Sequence, residues 1–233
     1  MTPEQMGLGL LWYAVLIVSL TFHEAAHGLA ALRFGDRTAR DAGLVTLDPL
    51  PHIRRSPVGM VIVPILAYWL GGWMIGWASA PYNSHWAGQN RRQAALMALA
   101  GPAANLSLLI LAGVLIRIGM VLGLLAPPAT VTWEQFTVAQ SAGLAPVAIV
   151  ISILFSLNLI LFVFNLIPVP PLDGSEVLSL VLSERSFEQY RHFLAQPGAG
   201  IVGLIVAWHL IDFLLPPAQG LALTLLYPGV GYQ

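Results

Sequence analysis

Two histidines four residues apart, with a glutamate beside the first, form the segment His23-Glu24-Ala25-Ala26-His27. These residue types at this spacing carry metal-assisted hydrolysis. On an α-helix both imidazoles stand on one face and reach a single zinc ion, with Glu24 beside the bound water and placed as general base. A catalytic zinc takes three protein ligands and keeps its fourth position for water. The chain has no cysteine, so the third ligand must be a His, Asp or Glu. Asp173 is the best candidate. It ends the uncharged stretch 135–172 and follows Pro168-Val169-Pro170-Pro171-Leu172, where the prolines break a helix and turn the next side chain off the helical path. The expectation is one zinc per chain, held by His23, His27 and Asp173.

The elements that position these residues lie in a membrane. The chain of 233 residues is 57% hydrophobic and 9% charged, against about 25% charged residues in soluble domains. Net charge is −1, with ten arginines and no lysine, so there is no basic tract for nucleic acid. No basic residue precedes the first apolar run and Glu4 stands where a signal peptide carries positive charge, so that run is read as a retained helix.

A first helix is expected over residues 8–34, with its N-terminus outside and the motif near the cytoplasmic end, because Arg33, Arg37, Arg40, Arg54 and Arg55 all follow it. Residues 43–47 read as a short β-strand. Residues 57–78 are long enough to cross. Equal arginine pairs at Arg54-Arg55 and Arg91-Arg92, with Pro64, Gly71-Gly72 and Gly76 between them, favour a re-entrant hairpin instead. Further spans are expected over 93–124, 144–166 and 200–215, the last stopped by Pro216-Pro217, with 126–141 as an external loop. Residues 221–227 lie at the interface or pack on the bundle. The fold class expected is an all-α polytopic membrane protein with about four spans, a re-entrant hairpin and a short membrane-associated β segment. It forms one membrane-embedded domain over 1–233, with its core at 8–182 and a helical C-terminal region at 192–233.

Three segments in order resemble the site-2 protease family of intramembrane zinc metalloproteases. They are His23-Glu24-Ala25-Ala26-His27-Gly28, Ala100-Gly101-Pro102-Ala103-Ala104-Asn105 and Phe164-Asn165-Leu166-Ile167-Pro168-Val169-Pro170-Pro171-Leu172-Asp173-Gly174. The similarity is to the compact branch without PDZ or CBS modules. It implies His23, His27 and Asp173 as zinc ligands, Glu24 as general base, and Asn165 as a residue that holds substrate or the oxyanion. Residues 76–83 are similar to the family's membrane-associated β segment but lack its usual prolines and valines. Residues 48–55 also depart from the family, with two arginines where an Asp-Pro pair is usual.

The implied partners are a transmembrane protein substrate and the lipid bilayer of the cell membrane. An extended substrate backbone would be captured by strand addition at residues 43–47 or 77–82. Two other classes compete. A membrane metal transporter would spread acidic and His positions through several spans, and a proteolytically inactive scaffold or chaperone would have no need of Glu24. Among the remaining polar residues, Asn105 reads as packing glue between helices. Arg117 is expected to snorkel, and His209 to pair with Asp212. His52, His85 and His192 carry no metal role.

Overall fold

The computed structural model describes residues 1–194 and 196–232. Helix α1 (Pro3–Arg33) begins with a capping box in which Thr2 Oγ1 accepts the Gln5 N–H at 3.2 Å and Gln5 Oε1 accepts the Thr2 N–H at 2.8 Å. Pro3 occupies the first turn, where a missing N–H costs nothing. These caps start the helix earlier than its apolar run alone indicates. It stops at Gly35, whose φ of +102° is open to glycine.

Helices α2 (Thr38–Asp41) and α3 (Pro49–Arg55) follow. The strand expected at residues 43–47 does not form; the segment is a turn and bends. Gly43 sits at φ +72°, which breaks an extended run, and no ladder partner lies beside it among the described residues. Val45 packs instead on Gly28, where an added Cβ would meet its Cγ2 at 3.2 Å.

A π-helical turn (Val58–Ile62) leads into α4 (Val63–Gly71), bent by 110° from α3. Tyr68 OH donates to Gln5 O at 2.7 Å, which carries the end of α4 to the start of α1. Gly72, at φ +72°, then reverses the chain and residues 73–83 return in extended form. Trp77 N donates to Gly59 O at 3.1 Å, and Arg55 Nε to Ser79 O at 3.0 Å. Asp36 accepts the Asn83 N–H at 2.8 Å. Burial alone would raise the Asp36 carboxyl, but its bonds from Thr38 and Asn83 hold it below the ordinary carboxylate range. Both ends of the hairpin therefore lie at the same end of α1, as the balanced arginines indicated. Among the described residues the returning limb pairs with no strand, so the expected β segment does not form a sheet.

Helix α5 (Ser84–Gln89), capped by Asn83 Oδ1, leads to α6 (Arg91–Val121). The two-stranded ladder of the chain lies in the next loop, where β1 (Leu125–Ala126) pairs antiparallel with β2 (Val138–Ala139). Ser152 Oγ accepts the N–H groups of Phe136 and Thr137 at 3.1 Å each and ties that loop to α7 (Ala145–Asn165). The chain then runs through an irregular proline loop, α8 (Gly174–Val177), a 3₁₀ turn (Leu178–Leu180) and α9 (Glu184–Leu194) to α10 (Ala199–Leu226). Helices α1, α6, α7 and α10 are long and apolar enough to cross a membrane. The chain is thus a helical polytopic membrane protein, with α1, α6 and α7 at its centre.

Three expectations fail in instructive ways. Helix α10 does not stop at Pro216-Pro217 but continues through them, because Leu223 and Leu226 bury against Ile116, Phe136 and Phe155. Residues 221–227 therefore pack on the bundle. Arg117 does not snorkel; its Nη1 donates to Leu226 O at 3.0 Å and satisfies a carbonyl at the end of α10. His209 bonds Ile205 O, one turn back on its own helix, at 2.8 Å rather than Asp212.

The proline loop is held by close approach. Ile167 and Leu172 bury against Ala207 of α10, and a Cβ added at Gly203 would overlap the Pro170 carbonyl. Gly203→Ala is expected to lower stability by about 1–3 kcal/mol through overpacking. Gly220→Ala, on the same helix with nothing within 4 Å of the added Cβ, should gain up to about 1 kcal/mol from helix propensity. Thermal unfolding in detergent checks the pair, and equal melting temperatures would mean that the contact at Pro170 does not constrain the fold.

Candidate metal centre

Three separate stretches of chain meet at the motif. His23 and His27 lie on one face of α1, and Asp173 arrives from the proline loop at the N-cap of α8. His23 Nε2 is 3.0 Å from His27 Nε2, and Asp173 Oδ2 is 3.1 Å from the first and 3.4 Å from the second. Tetrahedral ligands about 2.0–2.1 Å from a zinc ion stand roughly 3.3 Å apart. The spacing fits.

The hydrogen bonds behind the imidazoles fix what these atoms can be. His23 Nδ1 bonds Asn105 Oδ1 at 2.7 Å and His27 Nδ1 bonds Met97 O at 2.7 Å, both acceptors. Each Nδ1 therefore carries the proton and each Nε2 presents a lone pair. Asp173 Oδ2 is buried and has no hydrogen-bond donor among the described residues. Three acceptor atoms converge with no donor between them, an arrangement that calls for a cation.

The space in front of the imidazoles is kept open by Gly101 of α6. A Cβ there would overlap His27 Nε2 and come within 2.6 Å of His23 Nε2. Only glycine lets α6 pass so close while leaving the ligand atoms clear. Glu24 is buried beside them, within electrostatic range of His27, and its carboxylate makes no hydrogen bond among the described residues. His23 and His27 precede Arg33 by ten and six residues, so they lie about 15 Å and about 9 Å inside that end of α1. No other group of three His, Cys, Asp or Glu among the described residues could hold a metal.

Behind His23 lies a polar chain that sequence reasoning read only in part. Asn105 is fully buried; besides accepting from His23, it donates through Nδ2 to Asn158 Oδ1 at 2.9 Å. Asn158, also fully buried, donates to Ser19 Oγ at 3.0 Å and Leu154 O at 2.8 Å. One network thus joins α6, α7 and α1 to the imidazole. Asn105 is the interhelical contact expected of it, and it also orients His23. Asn158 and Ser19 were missed, although an asparagine in the middle of the long uncharged stretch was a usable signal. Asn165 makes no hydrogen bond to the cluster among the described residues: it is half-buried and its amide donates to Leu161 O at 3.0 Å, on its own helix. Of the other histidines, His52 is buried against Thr46 O and His85 pairs with Gln89.

Comparison with known proteins agrees with this geometry. The chain is 35% identical over 174 residues to YwhC of Bacillus subtilis, covering 73% of this chain and 69% of that protein. It is 31% identical over 169 residues to Rip2 of Mycolicibacterium smegmatis, covering 72% of this chain and 56% of that protein. It is 33% identical over 172 residues to Rip2 of Mycobacterium tuberculosis, covering 74% and 57%. All three carry provisional zinc metalloprotease names, and this chain spans little more than half the length of the Rip2 proteins. No solved structure matches at a significant level. The model of peptidase family M50 matches residues 12–207, a reach that takes in α1 with its histidines, α6 with Gly101 and the loop that delivers Asp173, and the chain accordingly belongs to that family, the site-2 intramembrane zinc metalloproteases.

Proposed function

We propose that this chain hydrolyses peptide bonds in or beside the transmembrane segments of other membrane proteins, through one zinc ion held by His23, His27 and Asp173. The observation that carries the proposal is the convergence of three lone pairs at 3.0–3.4 Å with both imidazole Nδ1 protons already committed. A zinc ion held there would polarise the scissile carbonyl as a Lewis acid and would draw the pKa of a bound water toward about 7. Glu24 takes the proton from the attacking water and returns it to the leaving amine. Asn105 and Met97 O hold the two imidazoles in the tautomer that points Nε2 inward. The burial of the cluster below the helix end keeps bulk water from competing with the substrate, and the substrate helix must unwind locally to reach it.

Orientation follows from charge. Asp36 to Asn83, Arg55 to Ser79 and Arg91 to Ser179 are contacts at one end of the bundle, which gathers the arginine-rich segments there. Arg117, beyond the other end of the cluster, is tied up by Leu226 O. We place the arginine end in the cytoplasm of the cell and the loop with β1 and β2 outside.

Zinc content and turnover separate the proposed roles. Asp173→Ala should lose stoichiometric zinc on dialysis, and undiminished occupancy would remove it from the ligand set. Glu24→Gln keeps size and hydrogen bonding while removing the base, so zinc and fold should survive and cleavage of a single-span substrate should fall by about 10²- to 10⁴-fold. A wild-type rate in that variant would reassign the base. Asn105→Ala, which frees His23 Nδ1, should weaken zinc by about 10- to 100-fold. Chelator competition reads this directly, and an unchanged affinity would reduce the Asn105 network to helix packing.

A further inference from the structure

A polar cavity of about 160 Å³ opens at the arginine end of the bundle, lined among others by Tyr82, Gly88, Ala94, Glu176, Glu188 and Arg191. It adjoins the metal cluster along two elements. Ala94 lies one turn before Met97, whose carbonyl holds His27. Glu176 lies three residues past Asp173, with its N–H on the Asp173 carbonyl at 3.0 Å. From Ala94 to Gly101, at the imidazoles, is about 10 Å along α6. An extended peptide covers that distance in about three residues.

The charges around the cavity are not equally free. Arg91, which also lines it, is spent inside the protein: Nη2 donates to Ser179 O at 2.7 Å and Leu182 O at 2.6 Å, and the guanidinium sits 4.5 Å from the centre of the Phe187 ring. Glu188 and Arg191 are exposed at the rim and opposite in sign, so solvent screens both and they largely cancel. Glu176 is half-buried and makes no hydrogen bond or ion pair with the described residues. A desolvated carboxylate without a bonded partner is the group in this cavity that gains most from an incoming cation.

The substrate supplies one. It is anchored in the same bilayer and obeys the same charge bias, so the flank emerging beside the arginine end carries Lys or Arg close to its apolar span. We propose that this cavity is a substrate subsite that takes a lysine or arginine side chain from that flank, about three residues from the scissile bond, with Glu176 as its anionic contact. This specificity rests on the proteolytic reading above.

The test uses the full zinc-loaded chain in bicelles and fluorescent single-span peptides: one Leu/Ala span interrupted by Asn-Gly, with Lys, Gln or Glu two to four residues beyond the break. Binding is measured to the Glu24→Gln protein, which does not consume the peptide. The Lys peptide should bind about tenfold more tightly than the Gln peptide and the Glu peptide more weakly still. Adding Glu176→Gln should abolish the Lys preference while zinc content is unchanged. Equal binding of all three, or a preference for Glu, would overturn the proposal, the latter assigning the cavity to Arg91 and Arg191. Survival of the Lys preference in the Glu176→Gln background would overturn the assignment to Glu176. Cleavage by the unaltered chain tells the two readings apart. Cutting without charge preference removes the subsite and leaves the protease; a Glu176-dependent preference with no cutting of any peptide removes the protease reading and leaves a cation-binding cavity.

Discussion

Three lone pairs, on His23 Nε2, His27 Nε2 and Asp173 Oδ2, meet within 3.4 Å of one another inside the apolar helix bundle, and among the described residues no neighbouring group offers them a proton. Such an arrangement is tolerable only around a cation. The surrounding architecture bears on that one point. Helix α1 supplies both imidazoles, and α6 passes close enough at Gly101 that a side chain there would overlap their Nε2 atoms. The proline loop swings the carboxylate in, and α10 presses on that loop through Gly203 and Ala207. Ser19, Asn105 and Asn158 tie α1, α6 and α7 together and fix a tautomer in the same contact. In lipid, where burial of apolar side chains adds little between helices, such hydrogen bonds and close glycine contacts carry the specificity of packing.

Much of this was legible because the chemistry is local. His23, Glu24 and His27 announce themselves by helical spacing, and Asp173 by the prolines before it. The hairpin was readable from charge: arginines on both flanks of an apolar stretch require both ends on one side. What escaped was set by contacts distant in sequence. Asn158 and Ser19 are single polar residues in apolar runs and acquire meaning only when 139 positions apart they share a bond. Pro216-Pro217 signals a stop, yet the burial of Leu223 and Leu226 outweighs the lost backbone hydrogen bonds. Residues 43–47 have strand composition but no partner strand, and Val45 gains more by packing on Gly28. Asn165 donates its amide to Leu161 O on its own helix, a contact that does not bear on the substrate role the resemblance implies.

The two ends of the bundle differ in kind. At the far end, Tyr227 and Phe136 are fully buried, Tyr227 OH reaches Phe136 O at 2.6 Å, and Ser152 closes two loop N–H groups, a plug of satisfied polar atoms around aromatic rings. At the arginine end, the hairpin return and α9 help enclose a cavity with charged walls, whose Glu176 lies three residues past Asp173.

X-ray absorption at the zinc edge of the purified chain, with metal counted per polypeptide, tests the central claim most directly. The account predicts one zinc per chain, coordinated by two imidazole nitrogens, one carboxylate oxygen and one further light ligand, at about 2.0–2.2 Å. A zinc shell with fewer than two imidazoles, or a chain that binds no zinc tightly while folded, would contradict it.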